Sequence, residues 1–460
     1  MGKKSILRAA MIGALVLPSQ AWAQEEGGVV TTFSIDQRLS AGRNLALETP
    51  AEGHTYASDT QLSFGVTSTT PLDRLSATGS VTLRLADEPT ETVTEFERPR
   101  LDFLYTREGA NAAFELGGNY RRDRVDFLRD LSSFLDEEGN LDLPEDFEDF
   151  TGEGTRADYG LNATLELGTT APFGLTLEAG LSGRDYQDTT SATLTDLQRI
   201  ELGATGRFTF SPVSEGRLSL DHSVSDEEDA AQTQITTQSV EASLAQEVSP
   251  RSRFEAGLGY TIAETEEFGA VTDEEKGLTG RFGYEWDMPD GQVDAALETT
   301  RNDNGARTEL SFGRTRDLPL GRLTARLGVS KADFGDPELI GRVAWNRLLP
   351  TGGISASLDH AVRSTGTNAE AQTTTLALNW NRDINDLSGI SLGVNYLTTS
   401  ETGENDISRT SLSASYRHDL TEDWAMRLGL TWRMRDEQNV GSSTSEEVFL
   451  LIGRDFSWRR

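Results

Sequence analysis

The sequence predicts an all-β chain: a closed, antiparallel, up-and-down barrel of about 22 strands that crosses a membrane with strands rather than helices. Three observations lead there. Apolar and polar residues alternate with a period of two along the chain, prolines recur at one class of short turn, and tryptophans gather at one level of the strands.

The alternation is clearest at Trp424, Met426, Leu428, Leu430, Trp432 and Met434, set against Ala425, Arg427, Gly429, Thr431, Arg433 and Arg435. Leu278, Phe282, Tyr284 and Trp286 stand likewise against Thr279, Arg281, Gly283 and Glu285. The pattern recurs at Phe254, Ala256, Leu258, Tyr260 and Ile262, and at Leu161, Ala163, Leu165 and Leu167. Successive strand side chains point to opposite faces, so each run is a strand with one apolar and one polar face. Soluble sandwiches alternate too; the turns and tryptophans decide between them.

Short turns fall near Pro71, Pro172, Pro212, Pro250, Pro289, Pro319 and Pro350, seven of the thirteen prolines. Proline presets φ for a turn and ends a ladder by lacking an N–H. Longer polar connections alternate with these turns, the pattern of tight periplasmic turns facing longer outer loops. Trp286, Trp345, Trp380, Trp424 and Trp458 all lie close to a short turn or to the C-terminus. Trp432 shares the parity of Trp424, which puts the two roughly 20 Å apart along the barrel axis at about 3.3 Å per residue and a tilt near 40°. That approximates the height of an apolar band between two aromatic girdles.

A first strand over 29–40 and a second over 59–69, followed by ten turn-linked hairpins through to 446–458, give 22 strands; 43–50 is not counted as a strand of its own. Ahead of them, 1–23 reads as a signal peptide: Lys3, Lys4 and Arg8, a short apolar core over 9–17, and Ala21-Trp22-Ala23 before Gln24. The remaining 24–460 reads as one barrel domain in the outer membrane. Plugged transporters of this barrel size carry a sizeable N-terminal domain, and so few residues precede the first strand that no plug is expected.

At the other end Val448, Leu450, Ile452, Phe456 and Trp458 share a parity, interrupted by Arg454, and Arg459 and Arg460 follow. Here the sequence resembles Gram-negative outer-membrane β-barrels, porin-like ones included, whose last strand carries alternating apolar residues and a terminal aromatic. The resemblance implies insertion by the barrel-assembly machinery through that strand. It also implies contact with outer-membrane lipid and lipopolysaccharide.

Composition excludes several classes. With 42 basic against 75 acidic residues the formal net charge is −33, which opposes nucleic-acid binding. There is no cysteine, so disulfides and thiol catalysis are out. Mean hydropathy is −0.45, a value that alternating strands conceal rather than contradict.

Candidate functional residues come from parity. Glu115, Glu166, Glu178, Glu201, Glu241, Glu255, Glu298 and Glu309 are expected to face the lumen from the first two-thirds of the barrel. Arg409, Arg417, Arg427, Arg433 and Arg435 are expected to face it from the last strands. Opposed charged walls set up a transverse field that orients polar solutes, while a ring's net sign selects ions. Ordinary pairing is the competing reading, with Arg281 and Glu285 sharing a strand and a parity. The longest connection, 123–155, holds a short amphipathic segment over 127–135 and an acidic run over 136–149. Its order resembles the third loop that narrows general porins; a solvated outer loop is the alternative.

No catalytic or metal site emerges. His222 and His360 follow Asp221 and Asp359, but each pair falls on opposite faces, which leaves a girdle position for the histidines, as for His418. The stretch 136–142 hints at a calcium loop, but its glycine is misplaced and Phe147 stands where the bidentate glutamate belongs. The reading is therefore a non-enzymatic channel without a cofactor, passing small polar solutes or ions. The alternatives are a non-conducting structural or surface-interaction barrel, or the outer-membrane part of an export system.

Overall fold

A computed structural model describes residues 28–125, 131, 154–189, 191, 193–366, 369–401 and 405–459. The signal peptide, the 127–135 segment apart from Leu131 (which is buried), the acidic run and the 136–142 stretch lie outside the described residues.

The described residues form 22 strands. The first half comprises β1 (Gly28–Arg43), β2 (His54–Thr69), β3 (Asp73–Asp87), β4 (Thr92–Glu108), β5 (Ala112–Arg124), β6 (Thr155–Leu167), β7 (Phe173–Gln187), β8 (Leu197–Ser211), β9 (Ser214–Glu227), β10 (Gln234–Ser249) and β11 (Ser252–Glu267). The second half comprises β12 (Ala270–Met288), β13 (Gly291–Asn302), β14 (Gly305–Leu318), β15 (Gly321–Ala332), β16 (Glu338–Leu349), β17 (Gly352–Gly366), β18 (Ala369–Asn385), β19 (Ser388–Glu401), β20 (Ile407–Asp419), β21 (Trp424–Glu437) and β22 (Gly441–Arg459). Each pairs antiparallel with its sequence neighbours, and β1 closes on β22 in an unbroken register from Val30↔Arg459 to Arg43↔Glu446. Closure leaves no sheet edge, the condition for a sheet to sit in hydrocarbon.

The strands are longer than the alternation alone marks. β2 begins at His54 rather than near 59, and β22 at Gly441 rather than 446. Beyond the lipid band no apolar face is needed, so the alternation fades while the ladder continues. The 43–50 stretch is not an extra strand: Asn44, 1 % exposed, organises this outer connection. Its Oδ1 accepts the N–H groups of Glu48 and Glu52, and its Nδ2 donates to Ser443 Oγ and the Thr444 carbonyl across the closing seam.

Short connections at 70–72, 168–172, 212–213, 250–251, 289–290, 319–320 and 350–351 contain all seven marker prolines at one end. The opposite end is less uniform. Residues 44–53 and 188–196 make longer connections, whereas 268–269 and 303–304 are two-residue turns. Phe268 (φ 52) and Gly269 (φ 75) both take positive φ, the type I′ geometry that matches strand twist.

One face of the sheet is a continuous apolar surface, with Leu278 65 %, Leu327 69 % and Phe312 61 % exposed. Register places Trp286, Trp345, Trp380, Trp424, Trp432 and Trp458 on this same face. Arg454 interrupts the row without leaving it: its guanidinium lies over the Phe456 ring at 4.4 Å and the Trp424 ring at 5.4 Å, 3.8 Å from Asp423. A cation can stay at the interface when its stem covers rings and its head reaches a carboxylate.

Candidate functional site: a charged lumen with unlike ends

The other face encloses the lumen. A cavity of about 1400 Å³ is lined together by Arg199, Glu201 and Glu227 from β8 and β9, Glu267 from β11, Arg363 from β17 and Arg435 from β21. Strands so far apart in the sheet share a cavity only across its interior.

Register places all thirteen charged residues singled out above on this face. It does not treat them alike. Glu241 and Glu255 both pair with Arg281, at 2.9 and 3.0 Å, so Arg281 reaches across strands rather than to Glu285 on its own. Glu309 accepts a hydrogen bond from Ser330 Oγ at 3.0 Å. Among the described residues Glu115, Glu166, Glu178, Glu201 and Glu298 make no ion pair. The basic set divides by depth. Near the outer end Arg409 is 2 % exposed, Arg433 donates to Glu447 at 3.0 Å, and Arg435 to Glu437 at 2.6 Å. Glu447 also receives Arg38, whose guanidinium stacks 3.8 Å from the centre of the inward Phe449 ring. Arg417 and Arg427, near the short turns, are exposed.

Like charges stand directly opposite one another at Glu298↔Glu309, Arg409↔Arg435 and Arg417↔Arg427. Facing like charges on a sheet cost stability. The outer end also holds a cluster that parity alone does not reveal. Arg84 lies 3.2 Å from Asp59, 3.1 Å from Glu88 and 3.8 Å from Glu97, and Arg124 approaches Glu88 and Glu97. It forms beside a β-bulge on β4, where Arg98 takes φ 51 and the register slips.

A second feature missed in the sequence rings the short-turn mouth. The N–H groups of Glu108, Glu247, Asp287, Asp317, Asp383, Asp419 and Asp455 donate to carbonyls of Leu72, Val213, Arg251, Asp290, Thr351, Leu387 and Asp423 in the preceding turns. These bonds tie each strand end to the neighbouring hairpin, and all seven acids stand at the lumen-side parity. The available signal was an acid two residues before a turn proline, as in Asp287-Met288-Pro289 and Asp317-Leu318-Pro319. At the same end Arg314 donates to Asp290 at 2.7 Å, and that bond holds the Asp290 carboxyl below its usual range.

The histidines stay apart from the charged face. His360 Nδ1 meets Thr374 Oγ1 at 2.8 Å, while Asp221 accepts from Ser239 on the lumen side, away from His222. Among the described residues no group of three or more His, Asp or Glu could hold a metal ion.

The sequence matches no protein-family model and no curated protein. Solved structures do resemble it. The FrpB iron transporter from Neisseria meningitidis superposes with a TM-score of 0.58 at 8 % identity, over 94 % of this chain and 83 % of that one. The siderophore receptor PirA from Pseudomonas aeruginosa gives 0.54 at 9 % identity, over 94 % and 81 %. The ferric enterobactin receptor of the same organism, in complex with enterobactin, gives 0.55 at 8 % identity, over 93 % and 81 %. At such identities the likeness is one of fold. Closed 22-strand topology, a lipid-facing apolar belt and tryptophans on that belt together make this chain a Gram-negative outer-membrane β-barrel.

Proposed function

We propose that the barrel is a channel passing small polar solutes or ions through its charged lumen, with a preference for cations. The observation that carries this reading is the segregation of like charge in the solvated part of the lumen. Exposed Glu115, Glu166, Glu178 and Glu201 on β5–β8 make no ion pair, whereas Arg207 and Arg217 of the same wall are paired with Glu215. Exposed Arg427 lies on β21, and exposed Arg417 lies on β20, 3.5 Å from Asp419. A wall that only held the sheet together would alternate signs, since facing opposite charges stabilise and facing like charges do not. The acidic ring at the short-turn mouth raises the local cation concentration further.

The test is single-channel conductance and reversal potential in a planar bilayer across a salt gradient. Steady cation-preferring conductance, weakened by Glu166→Gln with Glu201→Gln, supports the channel. Silence in several lipids, from protein whose heat-modifiable migration proves it folded, overturns it and favours a structural barrel.

A second reading has its own support. The lumen wall on β18 and β19 is closed to solvent at Ala377, Leu397 and Asn395, and structural neighbours include siderophore receptors and an iron transporter. Regulated uptake of a larger solute fits both, and predicts rare openings in place of steady conductance. For partners, we place lipopolysaccharide around the outer half of the belt and assign recognition by the insertion machinery to β22.

A further inference from the structure

The lipid-facing girdle at the short-turn end is not the same all the way round. On β5, β7, β8 and β11 that face carries Phe114, Phe173, Phe208, Phe210 and Phe254 close to the short turns. No Arg or Lys occupies that face and level from β5 to β11. From β14 to β18 the same level carries Arg314, Arg316, Arg347 and Arg382. Trp345 and Trp380 stand two positions before Arg347 and Arg382, on the same face.

These cations are poorly neutralised by the protein. Asp290 alone pairs with Arg314 and Arg316, at 2.7 and 3.2 Å. Arg347 and Arg382 are exposed and make no ion pair or hydrogen bond among the described residues. In a chain of net charge −33, four outward arginines sharing one carboxylate form a local positive sector on the lipid face, since Asp317 and Asp383 at the same level stand on the lumen parity. Elsewhere on the girdle the corresponding cations are compensated: Arg107 by Asp73, and Arg454 by Asp423 and two rings.

We propose that this sector of β14–β18 is a docking site for anionic glycerophospholipid of the periplasmic leaflet. The occupant follows from position. Side chains on the outward parity, a few residues from tight periplasmic turns and level with girdle tryptophans, meet lipid headgroups. Arginine forms bidentate hydrogen bonds to phosphate, while the indoles flank the glycerol and acyl boundary. Arg347 and Arg382 stand two strands apart, about 10 Å at the usual strand spacing, so neighbouring phosphates are bound without crowding. A zwitterionic headgroup brings its own ammonium and gains less from the sector than an anionic one. The sector also fixes an orientation, because the phenylalanine half of the girdle offers anionic lipid nothing.

The experiment reconstitutes the full barrel in bilayers of phosphatidylethanolamine containing a minority of phosphatidylglycerol, and counts retained lipids by native mass spectrometry. The wild-type barrel is expected to enrich phosphatidylglycerol over phosphatidylethanolamine. Each uncompensated arginine contributes about fivefold, so Arg347→Gln with Arg382→Gln removes most of the enrichment. Arg107→Gln, outside the sector, leaves it unchanged. Equal retention of the two lipids by wild type, or undiminished enrichment in the double variant, overturns the proposal. If the double variant does not fold, high salt on the wild-type barrel decides instead: enrichment that survives screening is not electrostatic and also overturns it. The result is independent of whether the lumen conducts.

Discussion

The two ends of the lumen wall carry the same kinds of residue on the same parity, yet they are different environments. On the outer part of the wall formed by β19–β22 and β2–β4, Ser445 is 0 %, Leu397 1 % and Arg409 2 % exposed, and Arg84 is enclosed by three carboxylates, while the outer parts of β8–β11 border the open cavity. At the short-turn end Glu166, Asp383, Arg417 and Arg427 are exposed. Inward parity therefore does not mean solvated. A charge in the closed half must be paired to exist there, because desolvation is offset only by a partner. A charge in the open half keeps its water and is free to act on a passing solute.

Removing a charge is the sharpest way to break that comparison. Arg84→Ala strands Asp59 and Glu97 in the closed half and is expected to cost about 3–5 kcal/mol. Arg427→Ala in the open half is expected to stay within about 0.5 kcal/mol. Urea unfolding of both in detergent measures the gap, and equal losses would erase the distinction. The next effect separates the two faces of one strand. Leu220→Arg puts a cation on the lipid face and is expected to cost about 2–4 kcal/mol if it lies near the bilayer midplane. Ser219→Arg, on the lumen face of the same strand, is expected to be tolerated.

A third test reads access directly, helped by a chain with no native cysteine. Ser391→Cys, on the lumen face of the open half, is expected to react with a membrane-impermeant thiol reagent in the folded barrel. Ser445→Cys is expected to stay unlabelled until the protein unfolds. Comparable labelling would mean that the outer half is open in solution.

The smallest effect is at Asp290, a half-exposed residue of a short turn. Its carboxyl is held down by Arg314, so whatever this pair contributes is present above the unfolded-state value and is lost as pH falls through the depressed one. Solvent screening keeps that contribution slight. Asp290→Asn should leave thermal stability at neutral pH unchanged, which a melting curve checks.

Much of this molecule was legible in its sequence because lipid reads one face of every strand. The strand number, the seven proline turns, the tryptophan girdle and the outward placement of the histidines all follow from period-two alternation and turn chemistry, both local. Parity likewise assigned the thirteen charged positions to one face of the sheet. Which of them are paired was not legible. Arg281 serves Glu241 and Glu255, two strands away and one, instead of Glu285 beside it in sequence. The Arg84 cluster needs the bulge at Arg98 to set its register.

What the sequence determined by itself is thus the face most side chains present, since along an unbulged strand that depends only on whether a position is odd or even; beyond the bulge at Arg98 the parity of β4 is reversed. Only the closed barrel decided the rest. Depth, partner and solvent access depend on what stands across the lumen and on register, above all at the closing seam, where residues hundreds of positions apart, such as Arg38 and Glu447, meet on adjacent strands.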